Sequence, residues 1–225
     1  GELDDSPTER LSGETKTYSP GGLTVLWAEE NTRDALFDAM LRRESYATSG
    51  TRPLLRFFGG FGYPADLCDA ADFVARAYAG GVPMGGEIGP SPSAAPRFAV
   101  WALADPGPQG APGTPLQRIQ IVKGWLDAAG QTHESVVDVA GDANNGASVD
   151  PATCATTGPD FASLCAVWED PDFDPTEPAF YYARVLENPT CRWSQVECVA
   201  AGVDCAQSAP PGFEACCDGS LPVAI

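Results

Sequence analysis

Asp170, Asp172 and Asp174 alternate along the chain, the spacing with which calcium-binding loops begin to gather carboxylate oxygens. An EF-hand then needs Gly at its sixth place and Glu at its twelfth. Those places hold Pro175 and Tyr181, so that loop type is excluded. A calcium site of another kind, with Asp142, Asn144 or Asp150 adding oxygens, stays open beside the plainer reading of a solvated acidic loop. His133 is the one histidine and a general-base candidate. No Ser or Cys motif flanks it and no GxSxG elbow is present, so it reads as a surface histidine after a turn. Gly85–Gly86 lacks the GxGxxG or Walker context of a phosphate cradle. The five tryptophans could line a sugar-binding surface. Trp27, Trp101 and Trp125, however, fall in strand candidates, where core packing is the ordinary use of the ring.

Eight cysteines in an acidic, Pro- and Gly-rich chain point to disulfides and an oxidising compartment, secreted or periplasmic. A zinc site would want paired ligands such as CxxC, and there is none. Cys154 with Cys165 is the expected local bridge. Cys191, Cys198, Cys205, Cys216 and Cys217 crowd the tail. Cys216 and Cys217 are adjacent and are expected to bond to different partners, because neighbours meet disulfide geometry poorly.

The elements that would position these groups centre on Gly21–Gly50. Leu23–Trp27 is a short β-favouring run. Asn31 is placed to cap a helix over Thr32–Arg43, where Leu36 with Met40, Phe37 with Leu41 and Ala35 with Ala39 form one stripe expected to be buried. Ser45–Ser49 reads as a second strand, and a strand–helix–strand unit ordinarily sets its strands parallel. Gly1–Pro20 is polar and reads as an exposed loop or disordered end. Pro53–Phe58 is a strand candidate, interrupted by Gly59, Gly60 and Gly62. Asp69–Ala79 reads as a helix capped by Asp69, and Val82–Pro96 as loop. Arg97–Ala104 is apolar on both faces and reads as a central strand. Gln117–Trp125 and Thr132–Val139 pair across a turn at Asp127–Gly130, and Phe180–Glu187 is a further strand. Gly158–Trp168 reads as a short helix with Pro159 near its start. Several strands with turn-rich spacers favour a sandwich-like β module.

Thirty-one acidic residues face thirteen basic ones among 225, a net charge of −18. Nucleic acid and anionic membranes are therefore poor partners. No apolar run approaches the ~20 residues that span a bilayer. The chain opens on Gly1 without initiator Met or signal peptide, and is expected to be a fragment or a processed form.

The runs WAEENTRDALFDAMLRRESYATSGTR (Trp27–Arg52), GGVPMGGEIG (Gly80–Gly89), APRFAVWALADPGPQGAPGTPLQRIQIVKGWLDAAGQTHE (Ala95–Glu134) and VWEDPDFDPTEPAFYYARVLENPTCRWS (Val167–Ser194) resemble the C-terminal part of an uncharacterised bacterial family, domain of unknown function 3604 (DUF3604). That family is similar to the PHP (polymerase and histidinol phosphatase) metallohydrolases, whose distorted α/β barrel holds metals with His, Asp and Glu. The resemblance implies an α+β chain in three stretches. Residues 1–52 would be a polar segment and a short α/β remnant (strand–helix–strand) closing a PHP-like barrel. By their own strand pattern residues 53–190 would be a β-rich, sandwich-like module, and 191–225 a Cys-rich tail that departs from the family. It also implies a divalent metal, Zn or Mn, for the parent enzyme and none in this piece. Its partner would be the missing N-terminal catalytic portion of the same chain. Glu29, Glu30, Asn31, Thr48, Ser49 and Gly50 are the candidates to border that pocket, because pockets of α/β barrels open beside strand ends; helix capping by Asn31, a turn at Gly50 and solvation of Glu29 and Glu30 are the preferred structural reading of the same residues. The function expected is a non-catalytic C-terminal portion of a secreted phosphoesterase- or sulfoesterase-like hydrolase. A glycan- or calcium-binding β module and a disulfide-stapled structural domain are the alternatives.

Overall fold

The computed structural model describes residues 6–18, 21–89, 94–109 and 112–221. Residues 1–5 and 19–20 of the polar N-terminal segment, and 90–93 of the expected loop, lie outside the described residues. In chain order the elements are α1 (Pro7–Arg10), β1 (Leu23–Leu26), α2 (Arg33–Leu41), β2 (Ser45–Thr48), β3 (Leu54–Gly60), α3 (Phe73–Gly80) and β4 (Gly81–Pro83). There follow β5 (Arg97–Leu103), β6 (Leu116–Leu126), β7 (Thr132–Gly141), β8 (Ser148–Val149), β9 (Thr156–Thr157), β10 (Ser163–Glu169), β11 (Ala179–Glu187) and α4 (Trp193–Ala200). The chain divides into two units, a larger one of residues 23–145 and 160–187 and a smaller one of residues 1–22, 146–159 and 188–225.

The larger unit is mixed α and β, rich in strand, and its sheets do not close into a barrel. One antiparallel sheet runs β10-β5-β3-β4 and another β11-β6-β7. Strand alternation explains how they share a core. Phe98, Val100 and Ala102 of β5, with Leu55 and Phe57 of β3, pack against Leu116, Ile119 and Ile121 of β6. The other face of β5 carries Ala99, which joins Phe58, Tyr63, Leu67, Phe73 and Ala77 beneath α3. β5 is therefore apolar on both faces and flanked on both sides, as its sequence predicts. Each such buried Phe or Ile contributes about 1.5–3 kcal/mol. The Tyr63 hydroxyl donates to the Ala77 carbonyl at 2.7 Å, and burial pushes its pKa up to about 12.

Four local expectations need correction. First, Ser163–Glu169 is a strand, not part of a helix. It pairs antiparallel with the whole of β5, from Ser163↔Leu103 to Glu169↔Arg97. Leu164, Ala166 and Trp168 face one core while Cys165 and Val167 face the other, so the helix-start signal of Pro159 is overridden by two-sided burial. Second, β1 and β2 pair antiparallel, Leu26 opposite Ser45. Trp27 N–H donates to Glu44 C=O at 2.9 Å, closing the base of the excursion that contains α2. The chain thus returns at the end of β1 it left, where a parallel pair requires return to the opposite end. Third, Thr32 rather than Asn31 caps α2. It is extended (φ −119°, ψ 158°) and its side chain accepts from Ala35 N–H. Arg43, at φ 58°, supplies the left-handed residue that ends the helix, and Glu44 N–H reaches back to Ala39 C=O. Fourth, the stripe of α2 is not buried. Ala39 is covered, whereas Phe37, Met40 and Leu41 are 58%, 55% and 66% exposed.

Two smaller shifts follow from packing. Gly59 and Gly60 lie inside β3 rather than breaking it, because Gly60 pairs with Gly81 where a Cβ would strike the Gly80–Gly81 backbone and Tyr63. α3 begins after Asp72, since Leu67–Asp69 forms a separate tight turn.

In the smaller unit, β8 pairs with β9 and the core is slight: Leu11, Cys198 and Leu221, with Trp193 and Phe213 against them. Disulfides Cys154–Cys191, Cys198–Cys216 and Cys205–Cys217 staple it. Arg10 pairs with Glu197 at 3.0 Å, and Trp193 Nε1–H donates to the Tyr18 carbonyl at 2.8 Å. Cys216 and Cys217 take different partners, as their adjacency requires. Cys154 does not bond to Cys165. Cys165 sits within extended β10 and bonds to Cys68 of the turn beside α3, a cysteine the sequence reading does not single out.

Candidate functional site

In the larger unit, a cleft of about 1180 Å³ runs between the whole length of β11 and the chain that follows β2 and β4. Its floor is the rim of the shared core, with Tyr46, Met84 and Ile88 partly buried there. Thr48, Ser49, Thr51 and Glu187 bring polar groups to one end. Thr51 Oγ1–H donates to Glu187 Oε2 at 2.8 Å. Glu187 Oε1 is buried and has no hydrogen-bond partner. Burial first, and then the nearby Asp105 charge, raise the Glu187 pKa against the lowering effect of the Thr51 hydrogen bond. Tyr46 OH donates to the Pro53 carbonyl at 2.9 Å, which fixes the turn after β2.

Thr48 and Ser49 line this cleft; Gly50, Glu29, Glu30 and Asn31 are not among its lining residues. Glu29, Glu30 and Asn31 are exposed before α2, and Thr32 Oγ1–H donates to Glu30 at 3.1 Å. Gly50 takes φ 134°, a backbone state that suits Gly after β2.

The three alternating aspartates do not converge. Asp170 is buried, and its Oδ2 accepts from Lys123 Nζ at 2.7 Å and from Tyr181 OH at 2.7 Å. Its Oδ1 accepts from Asp172 N–H at 3.0 Å, and Lys123 also donates to the Asp172 carbonyl at 2.8 Å. Asp174 instead caps its own loop through Thr176, whose hydroxyl and N–H bonds hold its pKa below the usual carboxylate range. Asp142 accepts from Asn144 N–H, and Asp150 from Ala152 and Thr153. Among the described residues no group of three His, Cys, Asp or Glu is placed to hold a metal ion. Lys123 carries a readable signal, since it shares parity with the buried Ile119 and Ile121 of β6. A lysine on an apolar face demands a carboxylate partner.

His133 stacks on Trp125 with ring centroids 5.2 Å apart, and its Nε2 lies 2.9 Å from Asp127 Oδ2. The hydrogen bond from His133, then those of Gln131 and Ala129, lower the Asp127 pKa. This arrangement ties the β6–β7 turn, and a hollow of about 610 Å³ beside it is lined by Trp125, His133, Glu134 and Phe180. No Ser or Cys lines it, and Thr132 is the hydroxyl residue beside His133 there. Among the described residues no helix is long and apolar enough to cross a membrane.

A family model described as "Protein of unknown function (DUF3604)" matches residues 3–214. No curated protein and no solved structure matches the chain.

Proposed function

The chain belongs to the family described as Protein of unknown function (DUF3604), and from that footing we propose that it is the non-catalytic C-terminal portion of a secreted, PHP-like, metal-dependent hydrolase. The metal-holding residues, with Zn or Mn, would lie on the portion that precedes it, and the β1–α2–β2 unit, whose antiparallel strands do not continue a parallel barrel, is where the two portions would meet. The observation that carries this is the bare apolar side of α2. Phe37, Met40 and Leu41 are exposed on a helix that touches β1, whereas a helix in a layered domain ordinarily buries its apolar face. Covering the exposed part of these three side chains is worth about 3–5 kcal/mol. Four disulfides support a secreted protein.

The test produces the preceding portion of the natural protein separately and measures its binding to this chain. Binding is expected, and Phe37→Glu with Leu41→Glu should weaken it more than tenfold while four disulfides still form. Absence of binding, or binding indifferent to both substitutions, would overturn the proposal.

A second reading, a glycan-binding surface, is favoured by Phe180 and Tyr182. They are 63% and 44% exposed, with nearly parallel rings, 11° apart, at 6.4 Å. Calorimetric titration with a glycan panel tests it; heat abolished by Phe180→Ala supports it, and no heat removes it.

A further inference from the structure

We propose that the free edge of β11 receives an extended segment of a partner polypeptide as an added strand. That segment would have apolar side chains at alternate positions and a neutral or basic net charge. β11 pairs on one side with β6, and among the described residues no strand pairs with its other side. The register fixes which backbone groups are left over. Leu126 N–H donates to the Pro178 carbonyl at 3.1 Å, one step beyond the pair Trp125↔Ala179. The bonded pairs along the ladder are therefore Phe180 with Gly124, Tyr182 with Val122 and Arg184 with Gln120. The N–H and C=O groups of Tyr181, Ala183 and Val185 point the other way, towards the cleft.

Soluble proteins blunt such edges with Pro, Lys, bulges or brevity. β11 is nine residues long, has no Pro or Lys, and has one irregularity, at its far end between Leu186 and Glu187. All of it borders the cleft. A row of main-chain donors and acceptors at the strand repeat is matched by extended backbone, not by a helix. Alternate side chains of that strand would meet Tyr46, Met84 and Ile88. The charge selects the occupant. Pairing β11 with a second copy would bring together two chains of net charge −18, whereas a neutral or basic segment meets no such repulsion.

The test is residue-resolved amide hydrogen exchange on the intact oxidised chain. The probe is a pool of short synthetic peptides in which Val, Ile, Leu, Phe or Tyr alternates with Lys and Thr. At about ten times the dissociation constant, exchange at Tyr181, Ala183 and Val185 should slow about tenfold, while Phe180, Tyr182 and Arg184, already bonded to β6, change little. Peptides N-methylated at the edge-facing residues should lose the effect. Replacing Lys by Glu in the pool should weaken binding several-fold at low salt, a gap that closes as salt is added. Ala183→Pro removes one outward N–H and should weaken binding about tenfold; the N-methylated peptides make the same test without altering the protein. No protection with the pool, protection that ignores the alternation, or a dimer that already shields these three amides without peptide would overturn the proposal.

Discussion

Replacing Asp170 by Ala leaves the Lys123 ammonium inside the larger unit without its counter-charge. The two side chains are 2% and 8% exposed, and their charged atoms lie 2.7 Å apart. Breaking a buried pair by removing one partner costs about 3–5 kcal/mol, because the remaining charge is left uncompensated. Tyr181 OH and Asp172 N–H lose their acceptor in the same step. Asp170→Asn keeps an acceptor for both and should fall between wild type and Asp170→Ala. Removing both charges, as Lys123→Met with Asp170→Leu, should recover most of the loss, since apolar replacement of a buried pair is often neutral or better. The assay is guanidinium unfolding with disulfides intact, followed by Trp fluorescence; Trp125, whose ring centre lies 5.0 Å from Lys123 Nζ, is a local reporter. The midpoint should move with an unchanged slope. In thermal unfolding, 3–5 kcal/mol corresponds to roughly 6–20 °C for a domain of this size class. If Asp170 served calcium instead, added calcium would stabilise wild type by mass action; none is expected. A loss below about 1 kcal/mol for Asp170→Ala, or a double variant worse than the single one, would refute the reasoning.

Glu187 sets a pH dependence. Burial raises its pKa, so the folded state holds the proton more tightly than the unfolded state. Its contribution is therefore full below the ordinary Glu range, near pH ~4.3, and is lost as pH rises through its raised folded value. Glu187→Gln removes this slope, so its stability relative to wild type should climb with pH across that window; urea melts at several pH values check this, and a flat or falling difference contradicts it. The Cys68–Cys165 bridge spans 97 residues, and replacing both cysteines by Ala should cost up to about 4–5 kcal/mol in the loop-closure picture. Unfolding at fixed protein concentration measures it, and a change within ~0.5 kcal/mol would show that the bridge adds nothing to the packing around it.

What the sequence could disclose follows local periodicity. β5, β6, β7 and β11 were legible because their alternation, or two-sided apolarity, is a property of consecutive residues. β10 was not, although Leu164, Ala166 and Trp168 do alternate; Gly158 and Pro159 supplied a helix-start signal, and only the pairing with β5 decides against it. The length of α2 was readable, but the exposure of Phe37, Met40 and Leu41 was not, because burial depends on what lies opposite a stripe. Disulfide partners were read from nearness in sequence, yet an extended β10 carries Cys165 away from its chain neighbours to Cys68. Thr48 and Ser49 were named as neighbours of a barrel pocket, and they line instead the cleft beside β11. Glu187 was not named, since its partner Thr51 lies 136 residues earlier. Lys123 among the isoleucines of β6 was the one available clue to the Asp170 pair.

The most direct measurement of whether these residues support a reaction performed elsewhere is hydrolysis of aryl phosphate and aryl sulfate with Mn(II) or Zn(II). It compares the oxidised chain alone with the natural protein extended to include its preceding portion. No turnover above the metal blank is expected from the chain alone, and chelator-sensitive turnover from the extended protein. Turnover by the chain alone at the rate of the extended protein would contradict the proposal that its catalytic residues lie elsewhere.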